Sequence, residues 1–344
     1  MSSRWRNIFF LFGLAAIAVM VATLSSGWND IVRLAGRAGV WLPVIVLLWI
    51  PIYLMNAVSW YLLIRNGQPV AVPFVQVLKM TVTGFALNYT TPFGLMGGEP
   101  YRIMELSGYV GSGKAVSSVI LYVMTHICSH FCFWLTAIGL YVTFHCLGVE
   151  RYAIDGWLGV VLGIMTLLFL TVCWLFSLGF RYGFVIRVFG ILRRIPLVRG
   201  WAERFLNRHL DQLQLIDSQI SLRESGHHAP LLSALVIEYL ARVLGCVEYW
   251  ILLRLIQPEV TFLDSFIIMA FSSFFSNLIF FLPMQLGSRE GGVAMAVAGL
   301  SMPAASGLTT ALATRLRELV WIIIGVGIMK IGNKHNGNDK GAAD

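Results

Sequence analysis

FALNYTTPFGLMGGEP, residues 85–100, and FFSNLIFFLPMQLGSRE, residues 274–290, decide the reading of this chain. Both begin on Phe, place Asn three residues later, and then meet a Pro and a Gly-containing turn that ends in Glu. Each lies in an apolar region otherwise suited to crossing a bilayer. The first region, 74–106, is broken by Pro92, Gly94, Gly97, Gly98 and Pro100; the second, 264–300, by Pro283, Gly287, Gly291 and Gly292. Pro removes a backbone donor and Gly lowers helix propensity. Each region therefore reads as two short helices joined at a break, a re-entrant hairpin or an interrupted span. Membranes tolerate such bare backbone only where protein or a cavity surrounds it.

Outward from these breaks the composition is that of a membrane protein. Of the 344 residues, 58% are apolar and 12% charged, about half the ~25% charged residues of soluble domains. Intrinsic disorder needs the opposite balance. The five cysteines (Cys128, Cys132, Cys146, Cys173, Cys246) are odd in number and sit in apolar stretches, which excludes a disulfide-built secreted domain. What remains is an all-α, polytopic helical membrane protein. The net charge of +8 suits Lys and Arg collected in cytoplasmic loops. No basic patch is interleaved with stacking aromatics, so nucleic acid is not an expected partner.

Runs of about 20 apolar residues are needed to cross ~30 Å of hydrocarbon. Six full spans are expected, at 8–24, 42–64, 115–147, 157–180, 231–256 and 310–331. The third is longer than one crossing needs and is expected to tilt or to extend beyond the bilayer. The first follows Arg4 and Arg6 and precedes Ser25-Ser26-Gly27, but it lacks an A-x-A site and reads as a retained anchor.

Charge orients the chain. The stretch 181–229 holds eight Arg and four acidic residues and belongs in the cytoplasm. Loops 148–156 and 257–264 carry net charges of −1 and −2 and fall outside. Arg4 and Arg6 place the N-terminus inside, and Lys330, Lys334 and Lys340 do the same for the tail. One loop disagrees: Asp30, Arg33 and Arg37 give +1 on the outer side. With both termini cytoplasmic, the first hairpin enters and leaves from the cytoplasm and the second from outside. The order span, hairpin, span then occurs twice in opposite senses, an inverted repeat, over about 42–147 and 231–331 of a single integral membrane domain covering 1–344. Such repeats are frequent in transporters. Within 181–229, Phe184, Val188, Ile191 and Ile195 form one apolar stripe and Leu206, Leu210, Leu213 and Ile220 another, which suits a helix pair lying on anionic lipid.

Charges inside a bilayer cost about 2.5–3.5 kcal/mol each and need a reason. The candidates are Glu99, Arg102 and Glu105 in the first hairpin, Arg289 and Glu290 in the second, Glu238, Arg242 and Glu248 on the fifth span, and Arg315, Arg317 and Glu318 on the last. Gly97-Gly98-Glu99-Pro100 fits a helix start, and Ser288 is a plausible N-cap before Arg289. Open backbone N–H groups beside Arg102 and Arg289 would make two anion sites suited to a lipid phosphate. The competing reading is that Glu and Arg pair with each other and lock the breaks. Arg315 and Glu318 share a helix face, Glu238 and Arg242 have the spacing of an intrahelical pair, and Arg317 and Arg254 are expected to reach toward the membrane surface.

Other signals lead nowhere. Residues 108–114 match G-x-x-x-x-G-K, but Ala115 stands where Ser or Thr should hold magnesium, and no strand precedes it. His126 and His130, with Cys128 and Cys132 between and beside them, lack a further evident ligand and read as helix-packing residues. No nucleophile elbow or H-E-x-x-H occurs, so neither a catalytic residue nor a metal or other cofactor is expected.

Gly97-Gly98-Glu99-x-x-Arg102, preceded by Asn88 and Pro92, is similar to the first signature of the lysylphosphatidylglycerol synthase transmembrane family. Pro283-x-x-Leu286-Gly287-x-Arg289-Glu290-Gly291, followed by Gly299-Leu300 and Arg315, resembles the second. Ser288 departs from the more apolar residue expected there. The resemblance implies a flippase-like domain that moves phospholipid or another polar lipid between leaflets of a bacterial inner membrane. It also implies possible partner enzymes of lipid, glycolipid or hopanoid biosynthesis. Relatives that attach amino acids to lipid carry a soluble aminoacyl-transfer domain. Here only a short polar tail follows the last span, and synthase activity is not expected. On this reading the lipid headgroup, expected to be anionic, meets Glu99, Arg102, Arg289, Glu290, Arg315 and Glu318, while Asn88, Pro92, Gly97, Gly98, Pro283 and Gly287 shape the breaks. The alternative is a membrane-embedded transferase or accessory subunit acting on a lipid-linked substrate. It calls for a paired acidic or metal-binding motif at a membrane face, and none is evident.

Overall fold

The computed structural model describes residues 39–90, 97–182, 228–279 and 287–329, with a few single residues and pairs between them. The expected first span, Pro92, Pro283 and most of the amphipathic stretch 181–229 lie outside the described residues.

Nine α-helices and one 3-10 turn make up the described chain. In order they are α1 (Trp41–Arg65), α2 (Phe74–Thr90), α3 (Gly98–Val110), α4 (Ser112–Cys146), the 3-10 turn Glu150–Tyr152, α5 (Gly156–Tyr182), α6 (His228–Arg254), α7 (Phe262–Leu278), α8 (Ser288–Gly299) and α9 (Ala304–Ile328). The fold is all-α, as composition requires. Helices α1, α4, α5 and α6 are long and apolar enough to cross a membrane. Helix α9 has 25 residues, enough for about 37 Å. Its charges Arg315, Arg317 and Glu318 are buried inside the protein. Helix α4 has 35 residues, about 52 Å, and extends past a single bilayer thickness.

The two broken regions form short helices. Helices α2 and α7 have 17 residues each, α3 has 13 and α8 has 12. Each falls short of the ~20 residues a crossing needs. The pairing of helices in 41–146 is matched in 228–328. Helix α2 packs on α3 as α7 packs on α8, α3 on α4 as α8 on α9, and α1 on α2 as α6 on α7. Between the halves, α1 lies along α6, α2 against α9, and α7 against α4.

Burial is inverted relative to a soluble protein. On α5, Trp157, Ile164, Leu167, Leu168, Leu170, Trp174 and Leu175 are exposed. Buried instead are Arg102, Glu238, Glu248, Asp264, Arg315, Arg317 and Glu318. An apolar exterior of this extent is stable only in lipid.

Small residues let the hairpins close. A Cβ on Gly98 would overlap the carbonyl oxygen of Gly84, so α2 and α3 touch backbone to backbone there. In the second hairpin a Cβ on Gly292 would sit 3.2 Å from the Ser272 Cα of α7. The N-terminus of α7 is held by a capping box. Thr261 Oγ1 accepts from the Asp264 amide at 3.2 Å, and Asp264 Oδ2 accepts from the Thr261 amide at 2.8 Å. Asp264 also accepts from Arg151 at 2.7 Å and from the Tyr152 hydroxyl at 2.6 Å, tying the loop after α4 to the second hairpin.

Candidate functional site

The second hairpin and α9 build a charged cluster. Helix α8 starts at Ser288 with Gly287 as its N-cap, in a left-handed conformation (φ 80°) that only Gly adopts freely. The expected Ser288 cap is therefore one residue late. The Ser288 hydroxyl instead donates back to the Gln285 carbonyl at 3.1 Å. Glu290, in the first turn of α8, accepts from the Gly287 amide at 2.8 Å, where a carboxylate complements the open end of the helix.

Arg289 donates to Glu318 and, at 2.9 Å, to Gln285 Oε1. Arg315 donates to Glu290 at 2.9 Å and to the Gln285 carbonyl at 3.0 Å, and lies 3.5 Å from Glu318. Four expected residues, Arg289, Glu290, Arg315 and Glu318, thus meet. Gln285 is an addition that the sequence reading missed. It is buried with φ 53° and uses both its backbone and side-chain oxygens to hold the two guanidinium groups. Backbone strain of this kind costs on the order of 1–3 kcal/mol and concentrates at functional sites. Arg317 is also an addition. Expected to reach for the membrane surface, it is buried, bound to Glu248 through two hydrogen bonds of 2.9 Å, and 3.8 Å from Glu318. Three arginines therefore balance three glutamates in one apolar setting.

The first hairpin builds a different site. Asn88, two residues before the end of α2, accepts from the Gly98 amide at 2.6 Å and donates to Glu99 at 3.0 Å. It bridges the break as its position suggested, and Gly97 serves as the N-cap of α3. Arg102 is 1% exposed, yet its nearest carboxylate oxygen, on Glu99, is 3.7 Å away. Its guanidinium lies over three rings, those of Trp60, Phe85 and Tyr122, at 5.6, 5.0 and 5.1 Å. Arg102 Nε, Glu99 Oε2, Trp60 Nε1 and the Tyr122 hydroxyl are buried without hydrogen-bond partners.

The two sites meet at the end of α2. Arg289 stands over the Tyr89 ring at 5.7 Å, one residue beyond Asn88. Of the four buried or half-buried arginines in the hairpins and α9, the Arg289 side chain keeps the most access, 13% against 2% for the side chains of Arg102 and Arg315 and 5% for that of Arg317.

Glu238 and Arg242 of α6 do not form the expected intrahelical pair. Glu238 meets His126 of α4 at 2.7 Å, while Arg242 donates to Ser129 and to the His126 carbonyl, both at 2.8 Å. His130 of α4 packs against His126 and Trp134. Cys128 and Cys132 join Cys173 of α5, and their sulfur atoms lie within 4.8 Å of one another. Three thiols in that arrangement suit a soft metal ion.

A family profile described as the Lysylphosphatidylglycerol synthase TM region matches residues 10–327. No curated protein and no solved structure matches the chain.

Proposed function

Because the chain belongs to the lysylphosphatidylglycerol synthase TM-region family, a family of membrane proteins tied to lipid handling, we propose that it moves a polar lipid with an anionic headgroup between leaflets. The headgroup enters between the two hairpins and meets Arg289 first. The acyl chains stay in the membrane, against the apolar outer faces. The two halves act as an inverted repeat, with both termini in the cytoplasm of a bacterial cell, and their relative motion opens the site to each side in turn.

The observation that carries this reading is the pairing of Arg289. It is the most accessible guanidinium of the cluster, and its carboxylate partner Glu318 also has Arg315 and Arg317 within reach. A lipid phosphate can therefore take Arg289 without stranding Glu318 as a lone buried charge. Charge-assisted hydrogen bonds to that phosphate are worth about 1.5–3 kcal/mol each, enough to hold a headgroup and weak enough to release it. In the absence of lipid the same ion pairs keep the cluster neutral.

Native mass spectrometry of the gently extracted protein tests the binding step. The wild-type protein is expected to retain an anionic lipid and Arg289→Ala to lose it. Retention of the same lipid at the same occupancy by both proteins would remove Arg289 from the site.

A further inference from the structure

Four carboxylates are fully buried in the described protein: Glu238, Glu248, Asp264 and Glu318. Glu248 is held by Arg317, Glu318 by Arg289 and Arg315, and Asp264 by Arg151 and Tyr152. Arginine stays charged under all physiological conditions. Glu238 differs: its partner is His126, with Nδ1 and Oε2 2.7 Å apart. Among the described residues it is the one buried carboxylate whose basic partner exists in a neutral form near pH 7.

The surroundings fix the charge balance. The titratable and charged groups around the pair are Arg242 of α6, His130 and Tyr122 of α4, Arg102 and Glu99 of α3, and Tyr89 of α2. With His126 neutral, Arg102 and Arg242 stand against Glu99 and Glu238, and the cluster carries no net charge. A proton added to the imidazole makes His126, which is half-buried beside the fully buried Glu238, an imidazolium and leaves one positive charge uncompensated. An anionic headgroup supplies the missing negative charge. Donors are already present: Arg102 Nε, Trp60 Nε1 and the Tyr122 hydroxyl are buried and unpartnered. Glu238 Oε1 and His130 Nδ1 are unpartnered too.

We propose that Glu238 and His126 form a proton-binding site, and that one proton and one anionic headgroup are taken up together at the first hairpin. The coupling to movement rests on the transport reading above; the proton site does not. Proton and anion each raise the affinity for the other, because linkage is reciprocal. A proton gradient then drives the lipid from the acidic side to the alkaline side.

Two measurements separate these parts. In the first, protein with 15N-labelled histidine is placed in nanodiscs of phosphatidylcholine, with or without phosphatidylglycerol, and His126 is followed by NMR between about pH 5 and 9. His126 is expected to titrate, and phosphatidylglycerol to raise its midpoint by about one pH unit, a roughly tenfold linkage. Glu238→Gln is expected to lower the midpoint and abolish the lipid effect. A His126 that stays neutral throughout, or a midpoint indifferent to phosphatidylglycerol, overturns the proposal. In the second, a pH gradient is imposed on proteoliposomes while labelled phosphatidylglycerol changes leaflet. Wild-type exchange from the acidic side is expected to accelerate about tenfold for one pH unit, and Glu238→Gln and His126→Gln exchange to ignore the gradient. Size-exclusion profiles report whether each variant is folded. Wild-type exchange that ignores the gradient overturns the coupling and leaves lipid movement standing. A titrating, lipid-sensitive His126 in a protein that exchanges no lipid upholds the proton site and overturns the transport reading.

Discussion

Arg317 of α9 and Glu248 of α6 face each other through two parallel hydrogen bonds, Nε to Oε1 and Nη2 to Oε2, each 2.9 Å long. The guanidinium lies 3.7 Å from the centroid of the Trp49 ring, and the Trp49 indole donates to the same carboxylate at 3.0 Å. This pair joins α1, α6 and α9 at one point. It is a structural lock beside the Arg289 cluster, and its removal should show in stability.

Arg317→Ala leaves Glu248 buried without a cation, with only the Trp49 indole as partner, a change that costs about 3–5 kcal/mol. The double variant Arg317→Met/Glu248→Leu removes both charges and is expected to be milder. Thermal unfolding in detergent compares them. A single variant that melts no lower than the double one would contradict this role.

Gly98→Ala drives a methyl group into the Gly84 carbonyl and within 2.8 Å of Asn88 Oδ1. Overpacking of this kind costs about 1–3 kcal/mol. Gly108→Ala, on the same helix with nothing within 4 Å, is the control and is expected to be neutral or slightly stabilising. Equal melting temperatures for the two variants would mean that the close approach of α2 and α3 does not matter.

Much of this was legible in the sequence. Long apolar runs pointed to the four spanning helices α1, α4, α5 and α6, and Pro and Gly to the ends of α2 at Thr90 and of α7 at Leu278, because both signals are local. The i,i+3 pair Arg315 and Glu318 was legible for the same reason. Partners on different helices were not. Glu238 passes over Arg242, four residues away, for His126, 112 residues away in sequence, because packing of α4 on α6 decides which groups can touch. Arg317 had the position of a membrane-surface residue, and only the placement of Glu248 turns it inward. Gln285 carried no signal, since its role depends on a left-handed backbone that sequence spacing does not reveal.

Tyr152 lies in the loop after α4, outside the spanning helices, and its hydroxyl donates to Asp264. Burial, then the hydrogen bond and charge of Asp264, push its pKa above the usual 10.0. A phenol whose pKa is raised on folding stabilises the protein fully below its unfolded pKa and loses that contribution as pH rises through the folded value. Stability is therefore expected to fall above pH 10, and Tyr152→Phe to flatten that fall. Parallel stability curves for the two proteins across the alkaline range would contradict the assignment.

The proposed inverted repeat predicts the sidedness of the loops. In a chain stripped of its native cysteines, single cysteines near Gly111 and near Gly156 are expected to react with impermeant reagents from opposite sides of the membrane, Gly111 from the cytoplasm. Labelling of both from one side would contradict the inverted repeat.

Leaflet exchange of labelled phosphatidylglycerol in proteoliposomes puts lipid movement through the Arg289 site to the most direct test. Wild-type protein is expected to speed exchange, Arg289→Lys to keep part of the rate because it retains charge without the bidentate fork, and Arg289→Ala to fall to the protein-free background. The same order is expected at Arg102 if the hairpins act as equivalents. Arg289→Ala protein with a normal size-exclusion profile and the wild-type exchange rate would show instead that the Arg289 and Glu290 charges only hold the helix break together.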